Sequence, residues 1–313
     1  MGRYIATRLL ASVPVIVVVV TVAFALLHLA PGDPALLAAG DRASPEQVEE
    51  TRHALGLNRP LHVQFALWSR RALQGDLGRS VFSHEPVTDL IAQRIQPTVA
   101  VGLLALVGGI VIGVPLGGLA AWRRGSWIDR GTMVFATLGY GIPSFWLGYI
   151  LIYIFTLTLS LLPPAGYEPL SAGVVPFLRS VILPSATIAF GIAGLLARMT
   201  RTAMLEVLGQ DYVRTARSKG MTEHAVLLRH AAKNAALPVM TVIGISVAYV
   251  LAGVAVVETV FAIPGLGRLF VEGALSRDYP VVQGTILITG MLLVTINLLV
   301  DLSYGWFDPR IRF

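Results

Sequence analysis

A cluster of basic side chains stands in the segment DYVRTARSKG, residues 211–220, of a chain that is otherwise strongly apolar. Arg214 and Arg217 are three residues apart, so a helix places both on one face, and Lys219 follows closely. A guanidinium can donate paired hydrogen bonds to carboxylate or carbonyl oxygens. This spacing therefore indicates recognition of an acidic or carbonyl-bearing surface on a partner, which is binding chemistry and not catalysis.

The other residue types that could do chemistry are poorly placed for it. Lys219 and Lys233 are the only lysines and neither follows a glycine, so the chain has no phosphate-binding loop of the Gly-x-x-x-x-Gly-Lys type. The absence of cysteine excludes disulfides and thiolate metal sites. Ser144 has no histidine within its motif, and close metal-ligand spacing is lacking at His28, His53, His62 and His84. We expect no catalytic, metal or cofactor site in this chain.

Apolar segments long enough to cross a membrane recur along the chain. Mean hydropathy is +0.72, and only 13% of the residues are charged. A spanning helix needs about 20 apolar residues, because the hydrocarbon layer is about 30 Å thick. The candidate spans are 9–30, 99–122, 131–167, 181–197, 237–257 and 281–299. We predict an all-α polytopic membrane protein with six transmembrane helices, the first of which is too long to be a secretory signal.

Two of these spans contain residues that predict special packing. Gly109, Gly113 and Gly117 recur every four residues, which lets two membrane helices approach closely. The uncharged run 131–167 is too long for one straight span, and Pro143 predicts a kinked or partly unwound entry. Candidate pathway residues are those that interrupt the apolar pattern: Tyr140, Pro143, Ser144, Trp146, Tyr149, Ser246, Tyr249 and Glu258. Interfacial anchoring or helix packing explains each of the aromatic residues equally well.

The polar regions predict the remaining organisation. The insert 31–97 should hold one helix that begins with Ser44 as N-cap and ends at Gly56, and a second helix over 61–73. Most arginines outside the insert fall in segments on the side of both chain ends, which places both termini in the cytoplasm and the insert outside. The predicted divisions are 1–30, 31–97, a core at 98–303 with a cytoplasmic loop at 198–236, and a tail at 304–313.

The cytoplasmic loop is predicted to form a helix, a turn and a second helix. Asp211 caps the first helix, Gly220 ends it in the left-handed conformation, and Thr222 starts the next, which runs to Pro238. A helix-turn-helix nucleic-acid reader has this pattern too, but both ends are tied to spans, so no separate core can form and no nucleic-acid partner is expected. A basic loop resting on anionic lipid stays open beside a docking element for a protein partner.

The motif DYVRTARSKG followed by LLRHAAKNAALP resembles the cytoplasmic loop of importer-type ABC permeases. Arg214 and Thr215 replace the usual Glu and Ala, a departure similar to the peptide, nickel and glutathione branch of that family. The stretches RYIATRLL, LAPGDP, LGLNRPLHVQF, GDLGRS, GIPSFWLG, VETVFAIPGLGRL, DYPVVQG and DPRIR, in this order, resemble the same branch over nearly the whole chain.

The resemblance implies a short coupling helix that fits a groove of an ATPase subunit, at Asp211, Tyr212, Arg214, Thr215, Ala216, Arg217, Lys219 and Gly220. It implies a bacterial cytoplasmic (inner) membrane permease subunit that forms half of a pathway. The implied partners are a second homologous permease, two ABC ATPase subunits that carry ATP and Mg, an extracytoplasmic binding protein and membrane lipid. Docking of the binding protein is expected at the insert and at Pro264, Gly265 and Gly267.

A secondary, ion-coupled transporter is the alternative function. Such a protein needs ionisable residues near the middle of the membrane. His28 and Glu258 are the best candidates, but both are expected near the outer ends of spans, where water reaches them.

Overall fold

The computed structural model describes residues 2–29, 33–39 and 43–307, which are almost entirely helical. The first four helices are α1 (Gly2–Leu29), α2 (Pro34–Ala39), α3 (Pro45–Leu55) and α4 (Leu61–Leu73). Next come α5 (Val87–Trp122), α6 (Trp127–Gly141), α7 (Ser144–Ile152) and α8 (Val174–Leu208). The chain ends with α9 (Asp211–Ser218), α10 (Glu223–Ala225), α11 (Lys233–Val260), α12 (Leu266–Ser276) and α13 (Tyr279–Phe307). The motif at 308–312 lies outside the described residues, and PGDP at 31–34 lies partly outside them.

Short stretches of π-helix extend two of these elements. Tyr153–Thr158 continues α7, and Val226–Ala232 joins α10 to α11 without a break. Within the described residues, five helical stretches are long and apolar enough to cross a membrane. A sixth candidate is the pair α6 and α7, which are bent by 104° at a short break. The break confirms the predicted interruption of the third apolar segment at Pro143.

Most of the predicted spans fall within longer helices, whereas the third was predicted to run to 167 and its helical part ends at Thr158. The second was expected to begin at 99 and begins at Val87, while the fourth extends to Leu208. The prediction that the second helix of the cytoplasmic loop ends at Pro238 is wrong, because this proline lies inside α11. The apolar part of the sequence ends where a helix leaves the membrane, but the helix itself continues into water. Pro238 does not end α11, because membrane helices tolerate an internal proline.

The chain divides into two compact units. The first contains Pro97–Ile263 together with residues 2–4 and 299–307, and α8 is its most buried membrane-length helix. The glycine seam of α5 packs on α8 as predicted: a Cβ atom at Gly113 would lie 2.6 Å from the carbonyl oxygen of Ala193. On another side of α8, a Cβ atom at Gly139 of α6 would lie 2.8 Å from the Phe190 carbonyl oxygen. Small residues thus bring backbones into contact on two sides of this helix.

The second unit contains Ile5–Gln96 and Pro264–Leu298. Its α3 has the predicted boundaries, since Ser44 accepts a hydrogen bond from the Gln47 amide at 3.3 Å and Gly56 has a φ of 71°. The predicted helix over 61–73 is confirmed as α4. A core of aliphatic side chains, which includes Val87, Leu266 and Val281, holds the unit together.

Candidate functional site

Helix α9 follows α8 after a break at Gly209 and Gln210. Asp211 was predicted to cap this helix, but it is the first helical residue, and Gln210 is the N-cap, with no capping bond from its own side chain in the described structure. The Asp211 side chain is 97% exposed. A carboxylate in the first turn still favours the helix through the partial positive charge of the N-terminus.

The end of α9 is a tight left-handed turn at Gly220, as predicted. Gly220 has a φ of 79°, which a residue with a Cβ atom adopts only with strain. Its amide donates to the Arg217 carbonyl at 2.9 Å, and the Met221 amide donates to the Ala216 carbonyl at 3.3 Å, which is the Schellman arrangement. Thr222 then caps α10 by accepting a hydrogen bond from the Ala225 amide. The predicted helix, turn and helix are confirmed.

One side of α9 is apolar and buried within the chain. Val213 is fully buried and Ala216, three residues later, is 6% exposed. They pack with Val226 at the start of the π-helical stretch, and Met221 covers the cluster. Ala216 was predicted as a coupling residue, but its side chain is buried between α9 and the following helix.

The opposite side of α9 is polar and exposed, with two arginines in different situations. Arg214 is 82% exposed and lies 3.9 Å from Asp211. The Arg217 Nε atom donates to Glu223 Oε1 at 2.7 Å and its Nη2 atom donates to Oε2 at 3.2 Å, which is a two-pronged ion pair across the Gly220 turn. Arg217 therefore has a partner within this chain, and Arg214 is the more available cation. Thr215 and Lys219, also predicted coupling residues, are exposed as well.

A second polar contact ties α9 to the next helix. Asn234 Nδ2 donates to the Tyr212 hydroxyl at 3.0 Å and to the His230 carbonyl at 2.7 Å. The Tyr212 and His230 rings lie 6.3 Å apart. With the Arg217–Glu223 pair and the apolar cluster, this contact fixes α9 at three points to the helix that becomes α11.

A buried ion pair that sequence reasoning missed lies between the start of α6 and the later part of α8. Asp129 is 5% exposed, and its carboxylate accepts from Arg201 Nε at 2.5 Å, from Nη2 at 2.9 Å and from the Gly125 amide at 2.9 Å. Arg201 lies in the same helix that leads to α9. The available signal was that Asp129 is the one acidic residue between two basic groups in WRRGSWIDR.

Most of the predicted pathway residues near the break between α6 and α7 are exposed. Tyr140, Trp146 and Tyr149 are 68%, 51% and 58% exposed, and Pro143 at the break is exposed too. Ser144 begins α7 and is half-buried. The guanidinium of Arg198 lies 5.9 Å above the Tyr140 ring.

Two of the predicted pathway residues in α11 take different positions. The Tyr249 hydroxyl lies against Gly191 of α8, where an added Cβ atom would be 2.7 Å away, and the carbonyl oxygen of Gly139, the neighbour of Tyr140, would be 3.3 Å from the same atom. Ser246 is fully buried, and its hydroxyl donates to the Val242 carbonyl at 2.8 Å. Tyr140 and Tyr249 therefore lie near each other, whereas the Ser246 side chain is buried and bonded within its own helix.

The expectation that water reaches Glu258 is wrong. Glu258 is fully buried, and its carboxyl group accepts a hydrogen bond from the Thr98 hydroxyl at 2.5 Å. The chain turns back after α11, with the Ile263 amide donating to the Glu258 carbonyl at 2.8 Å, and Phe261 and Ile263 are both buried. His28, the other candidate, is exposed and lies 3.1 Å from the Gln64 side-chain oxygen.

The predicted docking loop leads into α12. Gly265 is buried and is the N-cap of this helix, with its carbonyl accepting from the Leu269 amide at 3.0 Å, whereas Pro264 is exposed. Gly267 lies in the first turn of α12. Nothing in the structure tests the docking role of these residues.

The chain is similar to known transport proteins over nearly its whole length. The family described as binding-protein-dependent transport system inner membrane component matches residues 113–313, and its N-terminal region matches residues 1–102. A probable peptide ABC transporter permease protein of Sinorhizobium fredii is 46% identical over 313 residues, which is 100% of both chains. A glutathione transport system permease protein of Escherichia coli is 41% identical, again over 100% of both chains.

A solved structure supports the fold. A chain of the MetNI methionine ABC transporter, in inward-facing conformations, superposes with a TM-score of 0.55 and 19% identity. The match covers 70% of this chain and 96% of that one. At this identity the likeness concerns the fold alone. The comparisons lend no support to the ion-coupled alternative.

Proposed function

The chain belongs to the family of binding-protein-dependent transport system inner membrane components and is a permease subunit of an ABC-type importer. We propose that its cargo is peptides and that α9 is the helix through which a separate ATPase drives it. Relatives of full length whose names specify peptide or glutathione transport support the cargo class. Glutathione is itself a small peptide, so both names fit one kind of cargo.

The observation that carries the coupling role is the two-sided character of α9. Its buried side and its two polar contacts fix it to the helix that continues into α11, while Arg214 projects into solvent with 82% exposure. A short helix held rigidly but exposed on a cationic face is suited to enter a groove on another protein and to transmit a push. The exposed coupling residues are Asp211, Arg214, Thr215 and Lys219, while Arg217 and Tyr212 hold the helix in place.

The proposed assembly contains this chain, a second homologous permease, two ATPase subunits that bind ATP and Mg, and an extracytoplasmic binding protein. Six spans, counting α6 and α7 as one, then place both termini in the cytoplasm of a bacterial cell, and the insert 31–97 outside its inner membrane. The excess of arginine in the short loops on the terminal side supports this orientation. Pro264, Gly265 and Gly267 are the proposed contact with the binding protein, together with the insert.

The proposed pathway wall is the exposed surface at the α6–α7 break. Tyr140, Trp146 and Tyr249 lie there, and their rings combine apolar faces with hydrogen-bonding edges. A peptide offers both amide groups and apolar side chains, so such a wall holds it without binding it tightly. The second permease would form the facing wall.

Co-purification tests the coupling assignment. The chain is captured from gently solubilised native membranes, and the co-purifying subunits are identified by mass spectrometry for wild type, Arg214→Glu and a control, Arg71→Glu, in α4. We expect wild type and the control to retain a P-loop ATPase and a second permease, and Arg214→Glu to lose the ATPase while keeping the permease. Retention of the ATPase by Arg214→Glu would remove Arg214 from the coupling surface.

Uptake tests the cargo. Proteoliposomes with the complete complex are given the binding protein, ATP and radiolabelled di- and tripeptides, and free amino acids serve as competitors. We expect peptide uptake that peptides compete with and single amino acids do not. ATP-dependent uptake of a non-peptide cargo alone would contradict the assignment.

A further inference from the structure

An apolar groove runs beside the helices that seat α9. It has a volume of about 680 Å³ and lies between the later part of α5, α8, the π-helical stretch and the start of α11. Its walls include Leu119 and Trp122 of α5, Met204 of α8, Leu228 of the π-helical stretch and Met240 of α11. A groove of this size can hold most of a small ligand, for which typical sites are about 300–1,000 Å³. Its lining indicates a hydrocarbon occupant.

Cations stand at one end of this groove. The Trp122 ring lines the groove, and the Arg123 guanidinium lies 5.4 Å above that ring, with Arg124 next in the chain and exposed. The pattern repeats a few residues later, where the Arg130 guanidinium lies 5.2 Å above Trp127. Trp127 is 83% exposed. Exposed tryptophans and arginines of this kind are typical of the headgroup level of a membrane.

The net charge of this loop toward its surroundings is positive. Asp129 is its acidic residue, and the Arg201 ion pair already neutralises that carboxylate. Arg123, Arg124 and Arg130 are exposed, so the loop presents more positive than negative charge to its surroundings. The complementary group is an anion at headgroup level that is joined to a long apolar chain.

We propose that this groove binds one anionic phospholipid, with an acyl chain between α5 and the π-helical stretch and the headgroup phosphate at Arg123 and Arg124. The lining is apolar except for Thr200 and His224, so the groove offers few hydrogen-bonding groups to a water-soluble ligand. A cation near an anionic headgroup strengthens binding by about fivefold for each arginine. Phospholipid is also the amphiphile that surrounds a membrane permease at all times.

The lipid has a consequence for coupling that rests on the proposed function. One wall of the groove is the π-helical stretch Val226–Ala232, and α9 packs against the same stretch through Val213 and Val226. An occupied groove supports this stretch from the side away from α9. Emptying the groove should therefore reduce ATPase coupling more than it reduces ATPase docking.

The test uses a groove-filling substitution with a matched control. Gly118 lines the groove, and a Cβ atom there would meet nothing within 4 Å, so Gly118→Leu should fill the groove without a clash. Gly131 in α6 has equally open surroundings, and Gly131→Leu is the control. A second pair compares Arg123→Gln/Arg124→Gln with Arg70→Gln/Arg71→Gln in α4. Each complex is equilibrated with vesicles of phosphatidylcholine and phosphatidylglycerol, and retained lipid is counted by native mass spectrometry.

We expect wild type and both controls to retain one phosphatidylglycerol, Gly118→Leu to lose it, and the Arg123/Arg124 variant to lose its preference for phosphatidylglycerol by about tenfold or more. Equal retention by Gly118→Leu and Gly131→Leu would overturn the site. Occupation of the groove by a helix of the second permease would also overturn the site. Cross-linking of a Gly118→Cys variant to the second permease would reveal such a helix. Because lipid counting needs neither cargo nor ATP, failure of the lipid site leaves the proposed function standing, and failed uptake leaves the lipid site standing.

Discussion

Replacing Arg217 separates two roles for the basic residues of α9. If the Arg217–Glu223 pair only seats α9, Arg217→Gln removes an ion pair whose side chains are 42% and 51% exposed. Exposed pairs of this kind contribute about 0.2–1 kcal/mol, with two-pronged geometry toward the upper end. The equilibrium between seated and unseated α9 then shifts by about fivefold or less.

A shift of this size is small in effect, because Val213 and Ala216 also hold the helix. If about ten seated helices exist for each unseated one, a fivefold shift leaves about two thirds seated, and coupled activity falls by less than twofold. A cation buried against the ATPase behaves differently, since removing one partner of a buried interface pair costs about 2–5 kcal/mol, or roughly 30-fold and more in affinity. The two roles therefore differ by more than tenfold in the expected effect.

The assay is peptide-stimulated ATP hydrolysis and uptake by the reconstituted complex, together with the affinity of the ATPase for the permease. We expect less than a twofold loss for Arg217→Gln, a larger loss for Arg217→Glu, in which two carboxylates face each other, and recovery in Arg217→Glu/Glu223→Arg. Arg214→Gln removes the same charge from a residue whose ion pair, with Asp211 at 3.9 Å, is long and exposed, and it should weaken ATPase docking by roughly 30-fold or more. A 30-fold loss in Arg217→Gln without recovery in the charge swap would refute the seating role and return Arg217 to the ATPase surface.

Three further tests probe the packing of the first unit by thermal unfolding of the complex in detergent. Gly113→Ala forces a Cβ atom to 2.6 Å from a backbone oxygen of α8 and should destabilise by about 1–3 kcal/mol, while Gly118→Ala has open space and should be neutral or stabilising; equal effects would contradict the close helix contact. Thr98→Val removes a hydrogen-bond donor to the buried Glu258 and should cost about 1–3 kcal/mol, whereas Thr98→Ser should retain most of the stability. Asp129→Asn leaves Arg201, whose side chain is 23% exposed, without its charge partner and should cost about 1–3 kcal/mol, less than for a fully buried pair; an unchanged midpoint would mean that the pair is solvated.

Helix caps and turns could be predicted from the sequence, because each depends only on a few neighbouring residues. Ser44, Gly56, Gly220 and Thr222 were identified from residue type and position alone, because a cap or a left-handed turn depends on a few neighbouring backbone groups. The break at Pro143 follows for the same reason. Asp211 was misassigned by one position, since Asp is favoured both as a cap and in the first turn.

Side-chain environments that depend on distant segments could not be predicted. Glu258 was assigned to the water-exposed end of a span, but the chain turns back over it and Thr98, which lies 160 residues earlier, supplies a hydrogen bond. Asp129 and Arg201 are separated by 72 residues, so neither periodicity nor spacing joins them. Arg217 and Glu223 are closer in sequence, but only the Gly220 turn brings them into contact, and a helical-face argument alone directs Arg217 outward.

If α9 is the coupling helix as proposed, the packing of α8 offers a route by which a push on so short a helix can reach the broken span. Side chains can absorb a small displacement by changing rotamers, but backbone pressed against backbone cannot, because interiors are close-packed. Gly113 and Gly139 put the backbones of α5 and α6 against α8, and the Asp129–Arg201 pair fixes the start of α6 to the part of α8 that leads to α9. A displacement of α9 should move the π-helical stretch to which it is fixed, and that stretch packs on α8 through Leu227 and Ala231 against Met204. Helix α8 should in turn carry the first half of the broken span with it. Loosening the ion pair should accordingly reduce transport per ATP hydrolysed before it reduces ATP hydrolysis itself.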